Sequence, residues 1–327
     1  MKALVVHDSS DSYDNPDVAD TFEQIESVSA ALDSLSIESS VLPFSLDVPS
    51  VRKNILREKF DFIFNLVESV EGRGIFIHYA PVLFDSMKIS YTGNSSEALF
   101  ITSNKLASKK IMRYAGIPTA DWMEYSAVKK TDPDGCRYII KSYWEHASIG
   151  IDDESVFIFD SRERALELFD KKRSILGSDI FAEKFISGRE FNISVISDKD
   201  GNLRVLHPAE MTWNDAKAGD NIMSYNSKWV DDTEEYSTSC RTFDFPSADS
   251  ALIERLKKIT LETAKLFSLN GYARVDFRVD DNENIYVLEI NANPCLSPDS
   301  GIAAACLNEG ISYNELIDLI VRNRISR

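Results

Sequence analysis

Polar and apolar side chains alternate along residues 272–291, and this alternation predicts a β-hairpin. Two apolar-rich runs flank the turn-prone residues 280–284, which are Asp, Asp, Asn, Glu and Asn. Side chains two residues apart share one face of a strand. A hairpin folded about its midpoint therefore places Asp276 opposite Glu289 and Arg274 opposite Asn291. The other face is expected to lie in the core and consists of Val275, Phe277, Val279, Tyr286, Leu288 and Ile290.

Two carboxylates that face each other across a hairpin need compensation, because like charges directly opposite destabilise a sheet. A divalent cation would supply it, and Mg²⁺ is typically held by one or two carboxylates together with substrate phosphates. Asp276, Glu289 and Asn291 are therefore predicted metal ligands. Arg274 shares their face and would neutralise negative charge that develops there. The alternative interpretation is an ordinary solvated polar face.

The apolar pattern elsewhere predicts a mixed architecture. Buried strands at residues 2–7 and 60–67 flank an amphipathic helix at 21–35, which favours a parallel α/β sheet over the first 95 residues. Ser312 and Glu315 form a capping box that begins a last helix. The remaining predicted strands lie at 137–141, 151–159, 180–186 and 190–196, and the remaining helices at 104–118, 161–169 and 251–269. The fold class is thus α/β at the start and α+β with antiparallel sheets in the C-terminal part.

Composition narrows the function classes. A chain of 327 residues is expected to hold about two or three domains. Its formal net charge of −17, without a basic stripe, argues against nucleic-acid binding. The four cysteines form no C-x-x-C pair, which is typical of reduced thiols in a cytoplasmic protein. No signal peptide or membrane span is recognised.

Phosphate chemistry in this acidic chain would need specific lysines, because no P-loop, G-x-G-x-x-G fingerprint or G-x-S-x-G elbow is present. A magnesium site of the predicted kind normally also holds substrate phosphates. Lys105, Lys141 and Lys228 are the candidates to contact them.

Short motifs in a consistent order resemble those of D-alanine–D-alanine ligases, which are ATP-grasp enzymes. Residues 91–93, 104–105 and 116–118 resemble the Y-T-G…D-K…G-I-P run, and residues 139–141 a strand that ends in a nucleotide-binding lysine. Residues 145–150 resemble the E-G-S-S-V-G loop that closes over phosphates. Residues 183–190 resemble the hinge that holds adenine by its backbone and ribose by its last glutamate. The other matching segments are Y-x-x-K at 225–228, R-x-D at 274–276 and E-x-N-x-x-P at 289–294.

The resemblance is strongest from residue 91 onward and weak over the first 60 or so residues. It implies an ATP-grasp fold with an N-terminal parallel α/β domain at 1–95, a small central lid domain at 96–182 and a C-terminal antiparallel-sheet domain at 183–327. It implies Arg274 and Ser148 as catalytic residues and Ser300 as the contact for the acceptor carboxylate. The implied nucleotide-binding residues are Lys105, Lys141, Glu183, Lys184, Phe185, Ile186, Glu190 and Lys228.

The resemblance also implies a reaction. ATP phosphorylates a substrate carboxylate with Mg²⁺, or Mn²⁺, on the phosphates, and an amine then attacks the acyl phosphate while Arg274 stabilises the oxyanion. The expected partners are a small-molecule carboxylate and amine, without nucleic acid or membrane. A homodimer is expected by analogy alone.

Departures from the family pattern fall on substrate contacts. The family's Gly-Gly-x-Ser and acidic stretch is replaced here by residues 7–11, and Glu23 or Glu26 is a candidate for the missing acid. The family's H-G-x-x-G-E-D-G loop is replaced by a segment with Glu68, Glu71 and Arg73, and His146 stands where the family has glycine.

We therefore expect peptide or amide bond formation between small amino-acid-like substrates other than two D-alanines. The substrate candidates are Glu68, Glu71, Arg73, His146 and Ser300. A genuine D-alanine–D-alanine ligase of cell-wall synthesis and a nucleotide-binding module without ligation remain as alternatives.

Overall fold

The computed structural model describes residues 1–9, 16–144, 155–177, 179–213 and 239–326, of which residues 16–19, 213 and 239 are described by their backbone alone. In these ranges the strands form three sheets, and no helix combines the length and apolarity needed to cross a membrane. The predicted α/β and α+β class is confirmed. The strand and helix pattern of the sequence is thus organised around separate parallel and antiparallel sheets.

The first sheet is parallel, as predicted, with strand order β2-β1-β3. Its strands are β1 (Lys2–Asp8), β2 (Glu38–Phe44) and β3 (Phe62–Leu66). Strand β2 was not predicted, because it lies at the sheet edge, is mostly not buried and contains Pro43. The helices up to residue 114 are α1 (Pro16–Ser34), α2 (Val48–Ile55), α3 (Tyr79–Met87), α4 (Ser96–Ser103) and α5 (Lys105–Tyr114).

The second sheet is antiparallel, with strand order β4-β7-β5-β6. Its strands are β4 (Trp122–Glu124), β5 (Arg137–Ser142), β6 (Val156–Ile158) and β7 (Ile180–Lys184). Its helices are α6 (Tyr125–Val128) and α7 (Arg162–Leu176). Phe169 of α7 is fully buried against this sheet together with Ile140 and Ala182. The division into three domains stays a prediction, and β7 continues to Lys184, two residues beyond the predicted boundary.

The third sheet is the largest and runs in the order β11-β10-β8-β12-β13, with β9 paired to β8. Its strands are β8 (Arg189–Ser197), β9 (Leu203–Val205), β10 (Ala209–Trp213), β11 (Ser239–Thr242), β12 (Tyr272–Val279) and β13 (Ile285–Asn291). The helices after residue 249 are α8 (Ser250–Leu266), α9 (Gly301–Asn308) and α10 (Tyr313–Arg322). The predicted capping box of Ser312 and Glu315 begins α10 and is confirmed.

Two apolar cores hold this sheet in place. One contains residues of β8, β12 and β13 together with α4, α5 and α8. The other joins α1 and the parallel sheet to α9, α10 and Tyr272 at the start of β12. The hairpin of β12 and β13 is therefore packed from the side of α5, while α9 and α10 connect the third sheet to the first.

The hairpin has the predicted register at its polar end, but one prediction about its core face is wrong. Phe277 pairs with Val287 whereas Asp276 pairs with Glu289, so Leu288 is the extra residue of a β-bulge. This extra residue reverses the alternation toward the turn. Ile285 and Val287 are buried in the core, and the expected core residues Tyr286 and Leu288 are only partly buried.

Gly188 lies where the chain passes from β7 into β8. Its φ is +130°, and a Cβ added there would lie 2.1 Å from the carbonyl oxygen of Val279. The guanidinium of Arg278 donates to the Gly188 carbonyl at 3.1 Å. Only glycine fits this close approach, which fixes the connection between the second and third sheets against the end of β12.

We expect Gly188→Ala to lower the free energy of unfolding by roughly 2–4 kcal/mol, because backbone strain and steric overlap add. Urea denaturation measures this loss. Gly135→Ala is the matched control, since Gly135 also has a positive φ, of +69°, but a Cβ there meets nothing within 4 Å. Its loss should be limited to about 1–2 kcal/mol. Equal losses in both variants would show that the approach to Val279 is not a constraint.

Candidate active site

The polar end of the hairpin brings together the predicted metal ligands. Asp276 faces Glu289 and Arg274 faces Asn291 across the β12–β13 ladder, which confirms the predicted register. The Asn291 side-chain oxygen accepts from the Asn293 amide at 3.0 Å. Two carboxylates and one amide thus occupy one end of the hairpin. Among the described side chains no group of three His, Cys, Asp or Glu residues is arranged to hold a metal, so a third protein ligand here would be the Asn291 amide.

Basic side chains compensate both carboxylates. Nε and Nη2 of Arg274 donate to Oδ1 and Oδ2 of Asp276 at 2.7 and 2.8 Å, and Asn192 donates to the same Oδ1 at 2.9 Å. Lys105 Nζ lies 3.0 Å from Glu289 Oε2. This donor set suits a hard cation, which prefers carboxylate and amide oxygens. The cation would share the carboxylates with Arg274 and Lys105.

The surroundings of Arg274 determine its charge. Burial on its own lowers the pKa of this guanidinium, but Asp276, Glu289 and Glu68 outweigh burial and raise that pKa. Arg274 therefore stays protonated at any physiological pH. Glu68 acts on Arg274 because the loop after β3 approaches the hairpin, where the Asn293 amide donates to the Val67 carbonyl.

A second charged cluster surrounds Glu183 on β7. Its carboxylate lies 2.7 Å from Lys109 Nζ and 2.9 Å from Lys141 Nζ. Burial raises the pKa of Glu183, but the two lysines outweigh this and lower it. Lys109 is fully buried, and its ammonium also donates to Thr119 at 2.6 Å. The cluster therefore holds Lys141 in a defined position at the end of the second sheet.

Sequence reasoning missed Lys109. The available signal was its spacing, because residues four apart lie on the same helical face and Lys105 was already a candidate. Asn104 is the N-cap of helix α5, and its side chain accepts from the Ala107 amide at 2.8 Å. One helix consequently directs Lys105 toward Glu289 and Lys109 toward Glu183.

The segment predicted to hold adenine and ribose connects the second and third sheets. The amides of Lys184 and Phe185 donate to the carbonyls of Asp121 and Arg137 at 2.7 and 2.9 Å. A base bound beside this segment, which continues into Ile186, would therefore use other backbone groups. Glu190 is buried and lies 2.7 Å from the Arg278 guanidinium.

Of the three candidates in the loop after β3, Glu68 is the one whose charge contributes to raising the pKa of Arg274. The Glu68 amide donates to Asp8 at 2.8 Å, and its side chain accepts from Gln24 at 3.2 Å. Glu71 is exposed and accepts from the Leu46 amide. Arg73 is exposed and stacks on Phe76, 4.5 Å from the ring centroid.

Helix α1 presents different residues from those expected. Glu23 and Glu26 are exposed, so the prediction that one of them replaces the missing acid is not supported by their position. Gln24 instead accepts from the Leu296 amide at 3.0 Å, and the Cys295 thiol donates to Asp20 at 3.1 Å. Burial raises the pKa of this thiol, and Glu68 and Asp20 raise it further.

Asn293 connects the end of the hairpin to the loop that carries Glu68. Its amide nitrogen donates to the Val67 carbonyl at 2.8 Å, and its oxygen accepts from the Tyr272 hydroxyl at 2.6 Å. Ser300 follows in the same region as the N-cap of α9, where its hydroxyl accepts from the Ala303 amide at 3.3 Å. His146, Ser148 and Lys228 lie outside the described residues.

Comparison with known proteins identifies the family. The model of the D-ala D-ala ligase C-terminus matches residues 111–322, which is more than half of the chain. The chain belongs to this family. The predicted membership of the ATP-grasp superfamily, and with it the class of C–N ligases, is therefore confirmed.

Relatives of this ligase-family chain support the assignment. The D-alanine–D-alanine ligase A of Bacillus cereus is 28% identical over 249 residues, which are 74% of each protein. The Bacillus anthracis D-alanine–D-alanine ligase complexed with ATP has a TM-score of 0.73 at 20% identity, covering 99% of this chain and 97% of that one. The VanG D-Ala:D-Ser ligase of Enterococcus faecalis has a TM-score of 0.71 at 16% identity, with 98% of both chains covered. At these identities the two structures show a shared fold.

Removal of Lys109 tests the second cluster. We expect Lys109→Met to lower the free energy of unfolding by about 3–5 kcal/mol, because a buried carboxylate loses one of its two cations. Urea denaturation of the unaltered protein and of the variant measures the change.

Lys110→Met is the control for this prediction. The neighbouring Lys110 pairs with Glu124 at 3.1 Å, but both side chains are exposed, so the loss should be about 0–1 kcal/mol. Similar losses in the two variants would mean that the ion pair with Glu183 does not stabilise the fold.

Proposed function

We propose that the protein is an ATP-dependent carboxylate–amine ligase that forms a peptide or amide bond between small amino-acid-like substrates through an acyl phosphate. The observation that carries the proposal is the group of Arg274, Asp276, Glu289 and Asn291 at one end of a hairpin, with Lys105 against Glu289. Two facing carboxylates destabilise a hairpin, so their presence together with basic partners supports a site that binds a cation and phosphates.

ATP would lie between the second and third sheets. Lys105 and Lys141 are the proposed phosphate contacts, and both already lie beside carboxylates that hold them in place. The segment from Lys184 to Ile186 would hold the base and Glu190 the ribose. Asp276, Glu289 and Asn291 would hold Mg²⁺, or Mn²⁺, which when bound neutralises charge on the phosphates.

The reaction would have two steps. An oxygen of the donor carboxylate attacks the γ-phosphorus of ATP, the bond to the β-phosphate oxygen breaks, and ADP leaves. The acceptor amine then attacks the carbonyl carbon of the acyl phosphate, inorganic phosphate leaves, and the nitrogen loses a proton. Nε and Nη2 of Arg274 are used by Asp276, so we propose that its Nη1 faces the oxyanion of the tetrahedral intermediate.

Substrate contacts follow from the positions of the acids. Glu68 lies near Arg274 and would pair with the donor's ammonium group, and Ser300 would donate its hydroxyl to the acceptor's carboxylate. The contacts of Glu71 with Leu46 and of Arg73 with Phe76 give no support for their predicted substrate roles. The roles of His146, Ser148 and Lys228 in a closing lid stay predictions.

Hydroxamate formation tests the proposal, because hydroxylamine replaces an unknown acceptor. We expect one or more acids in a panel of amino acids and short peptides to yield a hydroxamate together with ADP. Glu289→Gln should lower the rate about a hundredfold and raise the Mg²⁺ concentration needed for half of the maximal rate.

Glu283→Gln is the matched control, because Glu283 is an exposed carboxylate in the turn of the same hairpin; its rate should equal that of the unaltered protein. If no acid yields a hydroxamate while calorimetry detects ATP binding, the nucleotide-binding module without ligation becomes the better explanation.

A D-alanine–D-alanine ligase is the second candidate, favoured by the names of the relatives. D-alanine as sole substrate would then release phosphate at a rate that no other pair exceeds. We expect D-alanine alone to be a poorer substrate than another pair, since Glu68 and the residues around it differ from the family pattern. A maximal rate with D-alanine alone would decide for the second candidate.

A further inference from the structure

An arginine outside the predicted site lies at the acceptor end. Arg241 is on β11, and its Nη1 lies 3.4 Å from the carbonyl oxygen of Asp299. Its Nη2 would lie 3.8 Å from a Cβ added at Gly301. The guanidinium therefore lies beside Ser300, the residue between these two contacts. Because Gly301 has no side chain, nothing from that position covers the guanidinium.

The charges around Arg241 are poorly balanced. Arg241 keeps part of its side chain exposed, while partial desolvation and the neighbouring charge of Arg274 lower its pKa and Asp299 partly offsets both. Arg274 is already paired with Asp276, and in the described part of the chain no carboxylate forms an ion pair with Arg241. The carboxylate of Asp299 accepts from the Ser297 hydroxyl at 2.8 Å. Two guanidinium groups in each other's field are unfavourable unless an anion lies near them.

We propose that Arg241 binds an anionic side chain of the acceptor, so that the acceptor of the proposed ligation is an acidic amino acid. This inference rests on the proposed function. Ser300 would hold the carboxylate next to the reacting amine, and Arg241, beside Ser300, would hold the second carboxylate. A neutral acceptor of the same shape would leave the guanidinium in contact with one weak carbonyl acceptor.

The ratio of kcat/KM for glutamate to that for glutamine tests the contact between Arg241 and an anionic side chain, since the two acceptors differ only in a side-chain carboxylate or amide. Both enantiomers are assayed, with a donor chosen by hydroxamate formation. We expect the unaltered protein to prefer glutamate by roughly 10- to 100-fold, as for a charge-assisted hydrogen bond. Arg241→Gln should bring the ratio near one, and Arg241→Lys should restore part of it.

Two further variants test whether the Arg241 guanidinium must be accessible and whether the effect is specific to this arginine. Gly301→Leu keeps the charge but covers the guanidinium, so it should also lower the ratio. Arg255→Gln is the control, because Arg255 is an exposed arginine on α8 that interacts with Glu283; its ratio should stay unchanged. A ratio near one in the unaltered protein, or a preference that survives Arg241→Gln, would overturn the proposal.

A binding measurement distinguishes failure of the proposed Arg241 contact from failure of the proposed ligase function. Calorimetry with glutamate and glutamine, in the presence of Mg²⁺ and ADP, does not depend on turnover. Tighter binding of glutamate that is lost in Arg241→Gln would support the anion contact even if no hydroxamate forms. Equal binding, or binding of neither amino acid, would overturn it.

Discussion

The neutralisation of Asp276 and Glu289 is the constraint on which the site depends. Two carboxylates opposite each other in a hairpin repel, and the protein offsets this with cations from different elements. Arg274 comes from the same strand as Asp276, while Lys105 comes from helix α5. The hairpin therefore tolerates its charges only when α5 is packed against it. The apolar core shared by α5, β12 and β13 provides that packing.

The polar end of the hairpin was predictable because the alternation of side chains reports directly on which residues share a face. The bulge at Leu288 was not, since an extra residue leaves no mark in an alternating sequence and only the paired strand reveals it. The same limit applies to α1. Its helical spacing identified a buried face, but the acids Glu23 and Glu26 fall outside that face, and Asp20 and Gln24 make the contacts instead.

Charged residues whose surroundings come from distant parts of the chain were the hardest to predict. Lysine is usually at the surface, so the spacing of Lys109 from Lys105 indicates a shared helical face but not that Lys109 is fully buried between Thr119 and Glu183. Arg241 belongs to a short edge strand with no recognisable motif, and its proposed role depends on Gly301, which is 60 positions away in the chain and adjacent in space. Proximity of this kind arises only when strand β11 and helix α9 pack together in the folded chain.

The cluster at Glu183 has a mechanical consequence. Glu183 belongs to the second sheet, whereas Lys109 belongs to a helix packed on the third. Their buried ion pair, with 2.7 Å between Lys109 Nζ and Glu183 Oε1, therefore connects the two sheets. A rotation of the second sheet relative to the third would stretch this pair unless the rotation axis passes close to it. With the rotation axis at this ion pair, Glu183 would hardly move, whereas β6 at the edge of the second sheet would move farther. The lysine that neutralises a carboxylate would then also define where the molecule pivots.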